Sequence, residues 1–246
     1  MSSPNTETKR YFPNLDAMRF FAFFVVFISH AALFLGYENQ SKLFSTLKTY
    51  ILANGDVGVT FFFVLSGFLI TYILLKEKNT TNTISLKKFY IKRILRIWPV
   101  YFLALILGFF VLPQIMHFLI GDNKLPFLAN APLRVLPKYL FFLANFDLAF
   151  HGGASVLTDI LWSISVEEQF YLVWPFIVAY IPNKHLLKVL FGLLIVSSVY
   201  KYFYAYDSYV IAYSTFSVMS DLCIGSILGL MLVTRQDLVE RFKSIS

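Results

Sequence analysis

A chain of 246 residues is long enough for one or two soluble domains, yet 58% of this one is hydrophobic, 19% is aromatic and its mean hydropathy is +0.67. Those values exclude an ordinary soluble domain and point to an integral membrane protein. The net charge of +7 does not argue for nucleic acid, because the basic residues gather between apolar runs, where they set membrane orientation. The single cysteine, Cys223, excludes an internal disulfide and a cysteine-clustered metal site, and no metal is expected.

The first fifteen residues, MSSPNTETKRYFPNL, are polar and lack the small-residue cleavage site that follows a signal peptide's apolar core. The first apolar run is therefore expected to stay in the membrane as an anchor. Runs that approach the roughly 20 residues needed to cross occupy residues 18–36, 55–75, 97–119, 160–181, 186–204 and 210–233. The stretch YLFFLANFDLAF, from Tyr139 to Phe150, is too short to cross and carries Asn145 and Asp147. It reads as a re-entrant or half-buried segment, tolerated only against protein or a water-filled cavity. The expected fold is all-α, a polytopic transmembrane helical bundle of six or seven membrane helices. No internal repeat of solenoid length is present.

Orientation follows from the connection KEKNTTNTISLKKFYIKRILR, which holds seven of the 21 Lys and Arg residues against Glu77 alone. Such a loop belongs in the cytoplasm. The N-terminus, two crossings earlier and carrying Lys9 and Arg10, then lies on the same side. The basic loop PNKHLLK and the basic tail RQDLVERFKSIS also face the cytoplasm if residues 139–150 do not span, which leaves residues 120–159 at the outer face.

Three places put ionisable groups in or beside the apolar runs. In RFFAFFVVFISH, helical geometry returns His30 to within about 20° of Arg19, about 16 Å further along the same face. Asp16 lies near that face, so one polar stripe runs inward from the cytoplasm. Arg19 also suits a snorkelling anchor and His30 a hydrogen-bonded core histidine, but an intramembrane imidazole is first a functional hypothesis. In LWSISVEEQFYLVWP, Glu167 and Glu168 sit about 100° apart, and Glu167 aligns with Ser163 and Tyr171. Glu167 could pair with a buried arginine to hold helices together, or raise the basicity of His30 and fix its tautomer as a general base requires. In FYIKRILRIWPVYF, Arg93 and Arg96 lie three residues apart at the cytoplasmic entrance of the third run. They fit an interface belt, or with Arg19 a phosphate-bearing cytoplasmic ligand.

In GDVGVTFFFVLSGFLI, the small residues Gly58, Ser66 and Gly67 read as positions where helices approach closely. VLSGF lacks the first glycine of a nucleophile elbow, which argues against a hydrolase serine. There is no phosphate-binding loop and no His-Glu-x-x-His zinc site.

Taken in order, NLDAMRFFAFFVVFISHA, GVTFFFVLSGFLI, KRILRIWPVYF and LWSISVEEQFYLVWP resemble the acyltransferase-3 family of membrane O-acyltransferases over residues 14–181. The resemblance implies that residues 1–246 form an acyltransferase-3-like transmembrane domain behind a polar cytoplasmic segment, 1–15, with the later family helices missing. It implies transfer of an acyl group, most often acetyl, from cytoplasmic acyl-coenzyme A to a hydroxyl of an envelope or exported carbohydrate. Acyl-coenzyme A is then a co-substrate, with no tightly bound cofactor. His30 matches the family's catalytic histidine and Arg19 its paired arginine. Glu167 matches the acid of a pattern that includes Ser165 and Tyr171, and Arg93 with Arg96 the basic motif of the donor site. Asp16 would support the stripe. The expected partners are acyl-coenzyme A, a carbohydrate or lipid-linked glycan, the bilayer and a partner chain or second copy. The expected location is a bacterial plasma membrane. Buried His and Glu also describe a proton-coupled transporter, and a non-catalytic assembly subunit is a third reading.

Overall fold

The computed structural model describes residues 13–35, 55–120 and 132–235, and every regular element among them is helical. Contacts divide the chain into two units, residues 1–62 and 63–246.

In the first unit, helix α1 (Pro13–Leu35) opens with a proline, whose missing N–H costs nothing in a first turn. Ala22 and Ser29 are buried, seven residues apart with Val26 between, so they share one face. Phe20, Phe21, Phe23, Phe24 and Phe27 are exposed, as expected of a lipid-facing surface. The start of α2 (Gly55–Thr81) meets the small-residue face. A β-carbon at Gly58 would lie 2.8 Å from Val26 Cγ2 and 3.0 Å from the Ala22 carbonyl oxygen, so the glycine is what lets the helices touch. That is the packing role expected of Gly58.

The second unit continues α2 and adds α3 (Leu86–Ile106), a π turn (Leu107–Val111) and α4 (Leu112–Ile120). A 3-10 turn (Leu133–Val135) leads into α5 (Leu136–Leu140), α6 (Ala144–His151) and α7 (Val156–Asp159). Helices α8 (Trp162–Tyr180), α9 (Asn183–Phe203), α10 (Ser208–Tyr213) and α11 (Thr215–Thr234) complete it.

The basic connection is less of a loop than its charge implies. Lys76 and Lys78 end α2, Lys87 to Arg96 begin α3, and only residues 82–85 between them are non-helical. Lysine and arginine are good helix formers whose long stems let a helix continue past the apolar boundary. Asn82, at φ 58°, makes the turn in the left-handed region that asparagine tolerates. The expected run 210–233 is likewise interrupted, because Ser214 is extended (φ −69°, ψ 134°).

Four helical stretches are long and apolar enough to cross a membrane: Gly55–Thr81, Leu86–Ile115, Asn183–Phe203 and Ser208–Thr234. The expected count of six or seven is not reached among the described residues. The described apolar stretch of α1 is the shorter Ala17–Ser29. Helix α8 has 19 residues, but Glu167, Glu168 and Gln169 dilute its apolar character. Residues 139–150 do not form a crossing helix either. Helix α6, with eight residues, is about 12 Å long, less than half the hydrocarbon thickness. Phe142, at φ 55°, separates it from α5.

These short helices pack through a cluster that includes Tyr101, Phe109, Tyr139, Ala144 and Leu161. Tyr101 donates to the Tyr139 carbonyl at 2.7 Å, and the π turn sets Phe109 edge-on to the Tyr139 ring, centroids 5.3 Å apart. Lys78 Nζ donates to the carbonyls of Val178 (2.6 Å) and Ile181 (2.8 Å), satisfying the otherwise orphaned end of α8.

Candidate active site

Helix α8 carries the polar centre. Glu167 Oε1 accepts from the Ser66 hydroxyl of α2 at 2.6 Å, and Oε2 accepts from the Tyr171 hydroxyl, one turn along α8, at 3.1 Å. Both carboxylate oxygens are thus engaged, the state in which an acid can persist in apolar surroundings. Arg93 of α3 lies over the Tyr171 ring, its guanidinium carbon 5.0 Å from the centroid, and 5.7 Å from that of Phe89. Its charge acts on both Glu167 and Glu168. Three helices therefore converge on one carboxylate.

Glu168, turned about 100° away, accepts from Trp98 Nε1 at 3.0 Å through Oε2, while its Oε1 is buried without a hydrogen-bond partner. On the following residue, Gln169 Nε2 donates to the Phe142 carbonyl (2.7 Å) and to Asn145 Oδ1 (2.8 Å). Thr215 joins that network, accepting from Asn145 Nδ2 at 2.9 Å and donating to Gln169 Oε1. Successive residues of one helix thus face three sets of partners. That explains how so many polar groups fit on one apolar helix.

The expected site residues fall as follows. Glu167, Tyr171 and Arg93 are brought together. Arg96 is exposed. Ser165 is fully buried and donates to the Leu161 carbonyl at 3.2 Å, two residues and about 200° of helix from Glu167. Arg19 is half-buried on α1 in the first unit. The side chains of His30 and Asp16, on the same helix, lie outside those described. Sequence reasoning missed Ser66, read as a packing residue, and Trp98, which it gave no role of its own. Their bonds to Glu167 and Glu168 join residues 101 and 70 apart in the chain, and no local pattern signals such pairings. Among the described residues no cluster suited to a metal ion occurs.

A second acid group lies in the segment between α6 and α8. Asp159 Oδ1 accepts from Tyr139 OH (2.7 Å) and from the N–H groups of Ala154 (2.8 Å) and Ser155 (3.4 Å). Burial pushes its carboxyl above the ordinary 3.8, and these bonds only partly offset it. The folded state therefore favours the protonated acid. The stability this contributes is complete below 3.8 and is lost as pH rises through the raised value. Asp159→Asn keeps a carbonyl acceptor, so it is expected to flatten the pH dependence of thermal unfolding in detergent over that window. An unchanged pH slope would remove Asp159 as its source. Nearby, Asp147 accepts from Lys138 Nζ at 2.5 Å, with His151 Nδ1 at 3.6 Å, and its Oδ2 is buried without a partner.

A sequence model of an acyltransferase domain, that of the acyltransferase-3 family, matches residues 12–245. The chain belongs to this family. Among acyltransferase-3 proteins it is 31% identical over 210 residues to the peptidoglycan O-acetyltransferase OatA of Listeria monocytogenes, covering 78% of this chain and 29% of that protein. It is 30% identical over 179 residues to the putative peptidoglycan O-acetyltransferase YrhL of Bacillus subtilis, covering 69% of this chain and 24% of the relative. It is 27% identical over 231 residues to the O-acetyltransferase OatA of Staphylococcus aureus, covering 89% and 34%. The chain thus spans about a quarter to a third of the length of these curated relatives. No solved structure matches it.

Proposed function

We propose that this acyltransferase-3 domain transfers an acyl group, most simply acetyl, from cytoplasmic acyl-coenzyme A to a hydroxyl of a cell-wall polysaccharide or its lipid-linked precursor. The observation that carries this reading is a carboxylate held between two hydroxyls, with an arginine over one of them, within a family of acyltransferases. The relatives named as peptidoglycan O-acetyltransferases supply the acceptor class. Excess Lys and Arg in the connection 76–96 supports a cytoplasmic N-terminus in a bacterial plasma membrane.

In this scheme Arg19, Arg93 and Arg96 bind the anionic donor. His30 acts as general base on the acceptor hydroxyl as it attacks the thioester carbonyl. Glu167 handles protons at the polar centre of α8, Tyr171 holds it in place, and Asp16 and Ser165 are supporting residues of the site.

The test is acetyl-coenzyme A turnover on a glycan acceptor by membranes containing the protein or His30→Ala. The variant is expected to lose about 10²–10⁴-fold in turnover with unchanged detergent-solubilised elution and thermal unfolding. Equal turnover would remove His30 from the mechanism. Proton-coupled solute uptake without acyl transfer would replace the enzyme reading with a carrier.

A further inference from the structure

Among the polar groups the scheme leaves unused, Ser66 stands apart. Its hydroxyl donates to Glu167 at 2.6 Å, the shorter of the two bonds that carboxylate accepts. A serine whose proton already points at a carboxylate is an activated nucleophile, the base standing ready to take the proton as the oxygen attacks. We propose that Ser66 is a covalent acyl carrier, forming an acyl-serine ester with Glu167 as its base.

Tyr171 bonds the same carboxylate but is a poorer candidate on two counts. It is 4% exposed and its ring is covered by Arg93. Ser66 keeps part of its surface open. The serine is also held in place: the next residue, Gly67, meets the Leu222 backbone of α11 so closely that no β-carbon fits, and the Ser226 hydroxyl approaches the Gly67 carbonyl at 3.3 Å. The hydroxyl therefore sits on a tightly packed helix, as preorganised chemistry requires. VLSGF is not a nucleophile elbow, and none is needed where the base comes from a neighbouring helix.

In the first half-reaction Ser66 Oγ attacks the thioester carbonyl, its proton passes to Glu167, the C–O bond forms, the C–S bond breaks and the thiolate leaves. In the second, the acceptor hydroxyl attacks the ester carbonyl and gives its proton to the general base of the reaction. Glu167 returns its proton to the Ser66 oxygen as that leaves. The base releases the acceptor's proton to water and the departed thiolate takes one from water, so that overall thioester and alcohol give ester and thiol. This inference rests on the acyl-thioester reading of the function.

The experiment incubates membranes containing the full chain with isotopically labelled acetyl-coenzyme A and no acceptor, quenches in acid, and maps the label by peptide mass spectrometry. The expected result is one hydroxylamine-sensitive acetyl group on Ser66 that disappears when a glycan acceptor is added. Ser66→Ala should abolish it and lower turnover on the order of 10³-fold or more. Glu167→Gln, which keeps the serine, should slow labelling about 10²-fold or more. Ser66→Cys should retain the label as a thioester. Wild-type turnover with no label on Ser66, or with the label on Tyr171 or His30 instead, would overturn the carrier role and leave the transferase reading standing. Failure of the wild type to transfer acyl from any acyl-coenzyme A would overturn both.

Discussion

Replacing Glu167 with glutamine is expected to lower acyl transfer by about 10²–10⁴-fold, the usual worth of a positioned proton-transfer group, while the protein still folds. The amide has the shape of the carboxylate. Its oxygen can still accept from Ser66 as in the native bond, but its nitrogen would face the Tyr171 hydroxyl, which now donates to Oε2. One hydrogen bond is thereby lost or must be turned round, at a cost of about 1–3 kcal/mol if a buried group is left unsatisfied. Stability and turnover should thus fall by very different factors. Tyr171→Phe separates them further, because it removes the same bond and leaves the acid. About a tenfold loss would follow from roughly 1.4 kcal/mol of lost positioning. If Glu167→Gln and Tyr171→Phe reduced turnover equally, and only in step with the fraction folded, Glu167 would be a structural group. The readouts are initial rates on a glycan acceptor and thermal unfolding of the same preparations in detergent.

The second large effect lies at the crossing of α2 and α11. An alanine at Gly225 would drive its β-carbon into the Val64 carbonyl, and one at Gly67 into that of Leu222. At Gly229 a β-carbon would lie 2.6 Å from the Phe68 carbonyl oxygen. Backbone cannot swing aside as a long side chain can, so the helices would have to separate. In helix propensity alone, glycine to alanine gains about 0.5–1 kcal/mol. Here the expected sign is reversed: Gly225→Ala should destabilise by about 1–3 kcal/mol or more. On α9, a β-carbon added at Gly192 would meet nothing within 4 Å, so Gly192→Ala should stabilise by up to about 1 kcal/mol. Unfolding temperatures in detergent decide the matter. A Gly225→Ala change that stabilises, as Gly192→Ala is expected to, would mean that the crossing is not held by close backbone contact. Because Ser66 adjoins Gly67, loosening this contact should also move the Ser66 hydroxyl from Glu167 and lower turnover of the folded fraction.

The two predictions differ in how visible their parts are along the chain. The pairing of Glu167 with Tyr171 follows from a spacing of four residues, which puts two side chains on one helical face whatever surrounds them. The 100° step between neighbours also foretells that Glu167 and Glu168 engage different partners. The short, polar-bearing stretch 139–150 is legible as something other than a crossing helix because length alone forbids it. Helix limits were less accessible. Residues 76–96 read as a charged loop, yet they are mostly helix because backbone bonding continues wherever residues permit it, independently of where apolarity stops.

By itself, then, the sequence determined what depends on local geometry and composition: an all-helical membrane chain, the pairing of Glu167 with Tyr171 on one helix face, and motifs in the order of a family. Only the tertiary structure decided that Ser66 meets Glu167, that Trp98 meets Glu168, and that Gly67 and Gly225 mark one crossing. Helical periodicity is set by bonds between residues four apart and can be counted along the chain. Which faces meet depends on the packing of helices far apart in sequence, where a serine that serves only as a small residue and one that serves a carboxylate are written with the same letter.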